Sequence, residues 1–159
     1  MTPRIHLGSA QIPGGDELQL YSRGDEFIVA LGGNQLMSTR VRASEIALAE
    51  MAIERLGNEA AHILIGGYGM GFTLRAALAK LGAQGRVTVA ELVPEIIEWA
   101  RGPMVGVTDG CLDDPRVALR IGDVGAAIGD APAAYDAILL DVDNGPDGLS
   151  REGNEGLYS

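Results

Sequence analysis

His62-Ile63-Leu64-Ile65-Gly66-Gly67-Tyr68-Gly69-Met70-Gly71-Phe72 is the stretch whose reading decides the fold. A short apolar run enters a turn with four glycines in six positions and leaves it on an apolar residue that opens a helical period. Such a run reads as a buried strand followed by a tight strand-to-helix turn. Glycine in that turn lets a ligand approach backbone N–H groups at a helix N-terminus. The alternative is an ordinary tight turn with no ligand.

Working outward, the same unit recurs. Strands are expected over 62–65, 86–90, 117–121 and 137–142, each apolar enough for burial on both faces. Helices are expected over 72–81, closed by Gly82, over 94–100 with Pro94 at its first position and Gly102 beyond its end, and over 124–128. This alternation predicts an α/β fold with a mostly parallel sheet and right-handed crossovers. Upstream, strands at 17–21, 26–31 and 35–38, separated by Gly24-Asp25 and Gly32-Gly33-Asn34, read as a small β-meander. His6 falls in a stretch ahead of it that reads as an N-terminal extension. From Thr39 the apolar residues Val41, Ile46, Ala49, Ile53 and Leu56 recur at helical spacing, with Ser38 or Thr39 as N-cap and Gly57 as C-terminal stop. The chain therefore divides into a β-meander, 1–38, and an α/β domain, 39–159, sharing one core.

Ligands of open parallel sheets bind beyond the carboxyl ends of the strands. The first end offers Gly67, Gly69 and Gly71. A dinucleotide fingerprint starting at Gly67 would need glycine where Phe72 stands, and no Gly-Lys-Ser/Thr follows for a phosphate loop. That spacing suits a nucleoside without a pyrophosphate. After the second strand, Glu91 is placed to accept from both hydroxyls of a ribose, or else to cap the helix opened by Pro94. Asp123, after Gly122, can accept from an exocyclic amino group of a base or cap the next helix. Asp141 ends the fourth strand, with Asp143 and Asn144 beyond it, where an acid can also serve a turn. His62, opening a buried strand, reads as structural.

Composition narrows the function further. A formal net charge of -10 repels nucleic-acid backbones and anionic lipid, and favours cationic or neutral small ligands. With 47% hydrophobic residues there is material for one core, but no apolar run approaches a membrane span and no export signal opens the chain. Cys111 is the single cysteine, which excludes an internal disulfide and a cysteine-based zinc site and fits a cytoplasmic protein. The acids around it, Asp109, Asp113 and Asp114, do not follow a calcium-loop spacing, so no metal is expected.

These residues together resemble the spermidine synthases, within the Rossmann-like class I methyltransferase fold. Ile65-Gly66-Gly67 with Thr73-Leu74-Arg75 is similar to that family's glycine turn and helix start, and Glu91 to its acid after the second strand. Asp113-Asp114-Pro115-Arg116-Val117 and Gly122-Asp123 resemble the segments flanking its third strand. Asp141-Val142-Asp143-Asn144-Gly145-Pro146 resembles its catalytic Asp-Ser-Ser-Asp-Pro loop. Residues 31–36 resemble a hairpin whose glutamine contacts the donor, and 44–51 stand near its Tyr-His-Glu-Met helix.

The resemblance implies S-adenosylmethionine or its decarboxylated form as co-substrate, held by Gln35, Gly67, Gly69, Gly71, Glu91 and Asp123. It implies Asp141 as the catalytic acid that positions and deprotonates an amine, and a small-molecule acceptor, a polyamine or another amine, near Tyr68, Asp143 and Asn144. The family's turn carries an acid for the aminopropyl end, whereas this turn has Tyr68 and Met70. Methyl transfer to a small nucleophile is therefore expected ahead of aminopropyl transfer to putrescine, with a non-catalytic nucleoside-binding protein as a third reading. The family's later strands would follow residue 159, so an open or subunit-covered sheet edge and a homo-oligomer are expected.

Overall fold

The computed structural model describes residues 3–130 and 134–140. An antiparallel sheet comes first, in the order β1 (Ile5–Gln11), β2 (Glu17–Arg23), β3 (Glu26–Leu31) and β4 (Asn34–Ser38). Alternation in β2 sends Leu18 and Leu20 into the core, 1% and 0% exposed. The strand β1 is a correction to the sequence reading, which has three strands and leaves His6 in an extension. Its residues are mostly exposed, so burial gives no period to read, and β2 supplies its register, with His6 opposite Tyr21.

Helix α1 (Ala43–Leu56) starts several residues later than expected. The two expected N-cap hydroxyls serve the meander instead: Ser38 donates to the buried Glu26, and Thr39 accepts from the Phe27 N–H at 3.0 Å. Arg42 stands at the N-cap without a side-chain bond, and Gly57 ends the helix in a left-handed conformation as expected.

The second sheet is parallel, in the order β7 (Val117–Ile121), β6 (Arg86–Glu91), β5 (His62–Gly66) and β8 (Ala137–Leu140). Helices α2 (Phe72–Lys80), α3 (Pro94–Arg101) and α4 (Val124–Asp130) follow β5, β6 and β7. The central strands are buried on both faces: Ile63 and Ile65 join the main cluster, while Leu64 packs with Ala90 and Ala127 on the other side. The outer strands depart from that expectation. Ile121 in β7 and Ile138 in β8 are 49% and 39% exposed, because each strand has a single neighbour among the described residues.

One apolar cluster runs from Leu18, Leu20 and Val29 through Ala49 and Ile53 of α1 to Ile65, Val89 and Trp99. It crosses the point near residue 38 where the sequence divides. At the seam, the Trp99 Nε1 lies 2.8 Å from where a Cβ on Gly8 would stand, so only glycine lets β1 come this close to α3. Helices α1 and α2 run in the same direction. The Thr73 hydroxyl reaches the Glu45 carbonyl at one end (3.5 Å), and Lys80 pairs with Glu54 at the other (2.9 Å). The N-termini of both helices therefore share the carboxyl end of the parallel sheet.

Candidate functional site

Three strand ends are tied together by main chain. The Gly67 N–H donates to the Ala90 carbonyl at 2.7 Å, and the Gly122 N–H to the Glu91 carbonyl at 2.8 Å. Residues that follow β5, β6 and β7 are thus drawn to one edge, where the sequence reading puts a ligand.

The glycine turn after β5 has three left-handed residues, Gly67 (φ 92°), Gly69 (φ 59°) and Gly71 (φ 87°). The Gly71 N–H closes the turn on the Tyr68 carbonyl at 2.9 Å, immediately before α2. Glu91 is 5% exposed. Its Oε1 accepts from the Tyr68 N–H at 2.8 Å and its Oε2 from the Val93 N–H at 2.9 Å. The Glu91 carboxylate therefore joins the glycine turn to Val93, the residue ahead of α3, while α3 itself has no side-chain cap, unlike the helix-capping role weighed in the sequence. Hydroxyls can also donate to a carboxylate, so a ribose here would share Glu91 with its main-chain donors. Burial pushes the Glu91 carboxyl above its ordinary value, against the backbone N–H groups of Val93, Tyr68, Gly69 and Leu92, which pull it down.

Asp123 is exposed, and its carbonyl accepts from the Ala126 and Ala127 N–H groups at 3.1 and 3.2 Å, starting α4. Gln35 lies exposed on β4, opposite Ala30. Asp141, Asp143 and Asn144 lie outside the described residues.

Tyr68 differs from the expectation of a substrate contact. Its side chain is 3% exposed and folds back over Gly71 toward the segment after α3, with its hydroxyl 3.2 Å from Thr108 Oγ1. A large aromatic finds more apolar partners there than at the open edge. Two further features were not legible in the sequence. Thr108 is buried beneath the turn, forty residues from Tyr68, with no motif to mark it. The first turn of α1 also flanks the site, with the Arg42 guanidinium 5.3 Å from the Phe72 ring centre. Parallel helix packing, which periodicity alone does not give, puts it there.

His62 has the structural role expected of it. It lies at the opposite end of β5, its Nε2 2.8 Å from Thr88 Oγ1 and its ring against Tyr135. Among the described residues no cluster of three or more histidine, cysteine or acidic groups could hold a metal, and no helix is long and apolar enough to cross a membrane.

A parallel sheet in this order, with its glycine turn and an acid after the second strand, is the Rossmann-like fold of class I methyltransferase type. Comparison with known proteins narrows the class. The spermine/spermidine synthase domain matches residues 43–159. The polyamine aminopropyltransferase of Mycobacterium tuberculosis (strain ATCC 25618 / H37Rv) is 33% identical over 132 residues, which are 79% of this chain and 24% of that protein. Polyamine aminopropyltransferase 2 of Pseudomonas aeruginosa is 34% identical over 93 residues, 56% of this chain and 26% of that one.

Spermidine synthase from Thermotoga maritima superimposes with a TM-score of 0.73 at 22% identity, covering 96% of this chain and 52% of that one. A spermidine synthase in complex with the transition-state analogue AdoDATO gives 0.69 at 23% identity, covering 86% and 47%. These two likenesses speak for the fold. This chain belongs to the spermine/spermidine synthase domain family. It spans about a quarter of the length of the curated relatives it matches.

Proposed function

We propose that this chain forms the donor-binding part of a polyamine aminopropyltransferase, moving an aminopropyl group from decarboxylated S-adenosylmethionine to an amine acceptor such as putrescine. The matched relatives are named polyamine aminopropyltransferases, which supports the second of the sequence readings over methyl transfer. The missing turn acid is thus a weaker guide than the similarity of the whole domain.

The observation that carries the reading is Glu91, buried at the end of β6 beside the glycine turn, its oxygens accepting from the Tyr68 and Val93 N–H groups. In this proposal Glu91 accepts from the ribose hydroxyls, while Gly67, Gly69 and Gly71 let the thioether approach the main chain. Asp123 accepts from the adenine amino group, and Gln35 contacts the donor. The acceptor nitrogen attacks the carbon bonded to the sulfonium. The C–S bond breaks with its electron pair going to sulfur, methylthioadenosine leaves, and the new secondary amine releases a proton.

Alignment and exclusion of water are the main requirements of such a displacement. We assign Asp141 on sequence alone as the group that holds the amine and takes its proton, with Asp143 and Asn144 beside the acceptor. A net charge of -10 suits a cationic donor and a polyamine. Cytoplasmic location and self-association belong to the same reading.

Incubation with decarboxylated S-adenosylmethionine and putrescine is expected to yield spermidine and methylthioadenosine in equal amounts. A methylated product formed from S-adenosylmethionine, with no spermidine from the decarboxylated donor, would return the assignment to methyl transfer.

A further inference from the structure

Tyr68 touches both sides of the glycine turn. Its backbone N–H holds Glu91 Oε1 at 2.8 Å, and its side chain is buried on the far side, its hydroxyl 3.2 Å from Thr108 Oγ1 and 3.9 Å from Cys111 Sγ. The ring occupies the space left free by the hydrogen of Gly71: a Cβ there would stand 2.7 Å from Tyr68 Cζ and 3.0 Å from Thr108 Cγ2. The segment that receives the hydroxyl is itself pinned to the first turn of α2. The Arg75 Nη1 donates to the Val107 carbonyl at 3.3 Å, and its Nη2 lies 3.5 Å from Asp109 Oδ2. Asp109 is the single non-glycine residue with positive φ among those described, at 55°, and Gly110 follows at 70°. Two left-handed residues in succession form a bend that the surrounding contacts must hold. A cavity of about 170 Å³ lies against Tyr68, Thr108 and Cys111.

We infer that Tyr68 is a positioning residue, whose anchorage on Thr108 holds its own N–H on Glu91 and so sets the carboxylate for the ribose. The anchor on the 102–114 segment then acts at a distance on donor affinity, although no atom of Thr108 needs to touch the donor. This inference rests on the nucleoside reading of the site for its consequence, but not for the bracing itself.

Two measurements on the full chain separate them. In the ligand-free protein, hydrogen exchange at the Tyr68 and Gly69 amides is compared between wild type and Thr108→Val, which keeps the shape and removes the hydroxyl. Exchange is expected to quicken about three- to tenfold, the equivalent of one neutral hydrogen bond, with the amides of β6 unchanged. Calorimetric titration with methylthioadenosine then compares Tyr68→Phe, Thr108→Val and the double variant. Each single change is expected to weaken binding about three- to tenfold, and the double variant to bind no more weakly than the weaker single. A merely structural loss would lower the unfolding midpoint, leave the exchange pattern proportionate everywhere, and leave the affinity of the folded protein unchanged. Unchanged exchange in Thr108→Val overturns the bracing. A wild-type chain that does not bind methylthioadenosine overturns the nucleoside reading, and the exchange result still decides the bracing.

Discussion

Two carboxylates stand at opposite ends of the parallel sheet, and their environments have opposite signs. At the amino end, Asp114 is paired with Arg116 at 2.8 Å, and this hydrogen bond holds its carboxyl down to about 2 from an ordinary 3.8. The same guanidinium donates to the Leu78 and Leu81 carbonyls at 3.0 Å each, closing the C-terminus of α2. At the carboxyl end, Glu91 has no cation among its hydrogen-bond partners, and burial pushes its carboxyl up. One acid is kept charged by a full partner and contributes to stability. The other is buried with only backbone N–H groups set against the cost of its charge. The partners set the two apart: a cation for Asp114, main-chain N–H groups for Glu91.

Gly71→Ala tests the carboxyl end most severely. A side chain at φ 87° is strained, and its Cβ meets Tyr68 Cζ at 2.7 Å. Strain and overpacking at about 1–3 kcal/mol each predict a loss of about 2–6 kcal/mol in urea unfolding, with nucleoside binding abolished. Near-native stability would show that the turn is not held as described. Next comes Glu91→Ala, expected to weaken methylthioadenosine binding by about 1.5–3 kcal/mol, the range for hydrogen bonds to a charged group. Unchanged affinity in calorimetry would remove Glu91 from the site.

The pH dependence of the two ends should differ in sign. Asp114 has a folded value below its unfolded one, so its contribution is fully present above about 3.8 and is lost as pH falls through about 2. Glu91 has a folded value above its ordinary 4.5, so acidification through that region favours the fold while neutralising the proposed ribose acceptor. Urea midpoints of Arg116→Gln between pH 5 and pH 2 should show a flatter acid limb than wild type. Methylthioadenosine affinity should fall in a window at and above pH 4.5. Coincident profiles for stability and binding would erase the distinction. The smallest effect is expected for His62→Gln, about 0.5–1.5 kcal/mol for its bond to Thr88, with affinity untouched. Lost binding in that variant would mean that the amino end is not merely scaffold.

Most of the sheet was legible because β5 and β6 are buried on both faces and bounded by glycine, a pattern that burial itself imposes. The antiparallel strand β1 was not, since its exposed residues carry no period. That glycines 67, 69 and 71 and Glu91 meet at one sheet edge was legible through their positions after strands. Tyr68 was legible as a neighbour of the site but not as its brace, because the Thr108 contact depends on how a nine-residue loop folds back. The later start of α1 had a local cause hidden in a distant one: Ser38 serves Glu26.

The seam between the two sheets contains the chain's single tryptophan, and this makes the molecule its own optical gauge. Trp99 is 8% exposed, with its indole against Gly8 of β1. Its fluorescence therefore reports whether the antiparallel sheet is docked, separately from events at the glycine turn. A red shift that precedes the loss of helical dichroism would reveal the N-terminal strands peeling away first. A single concerted change would mark both sheets as one cooperative unit.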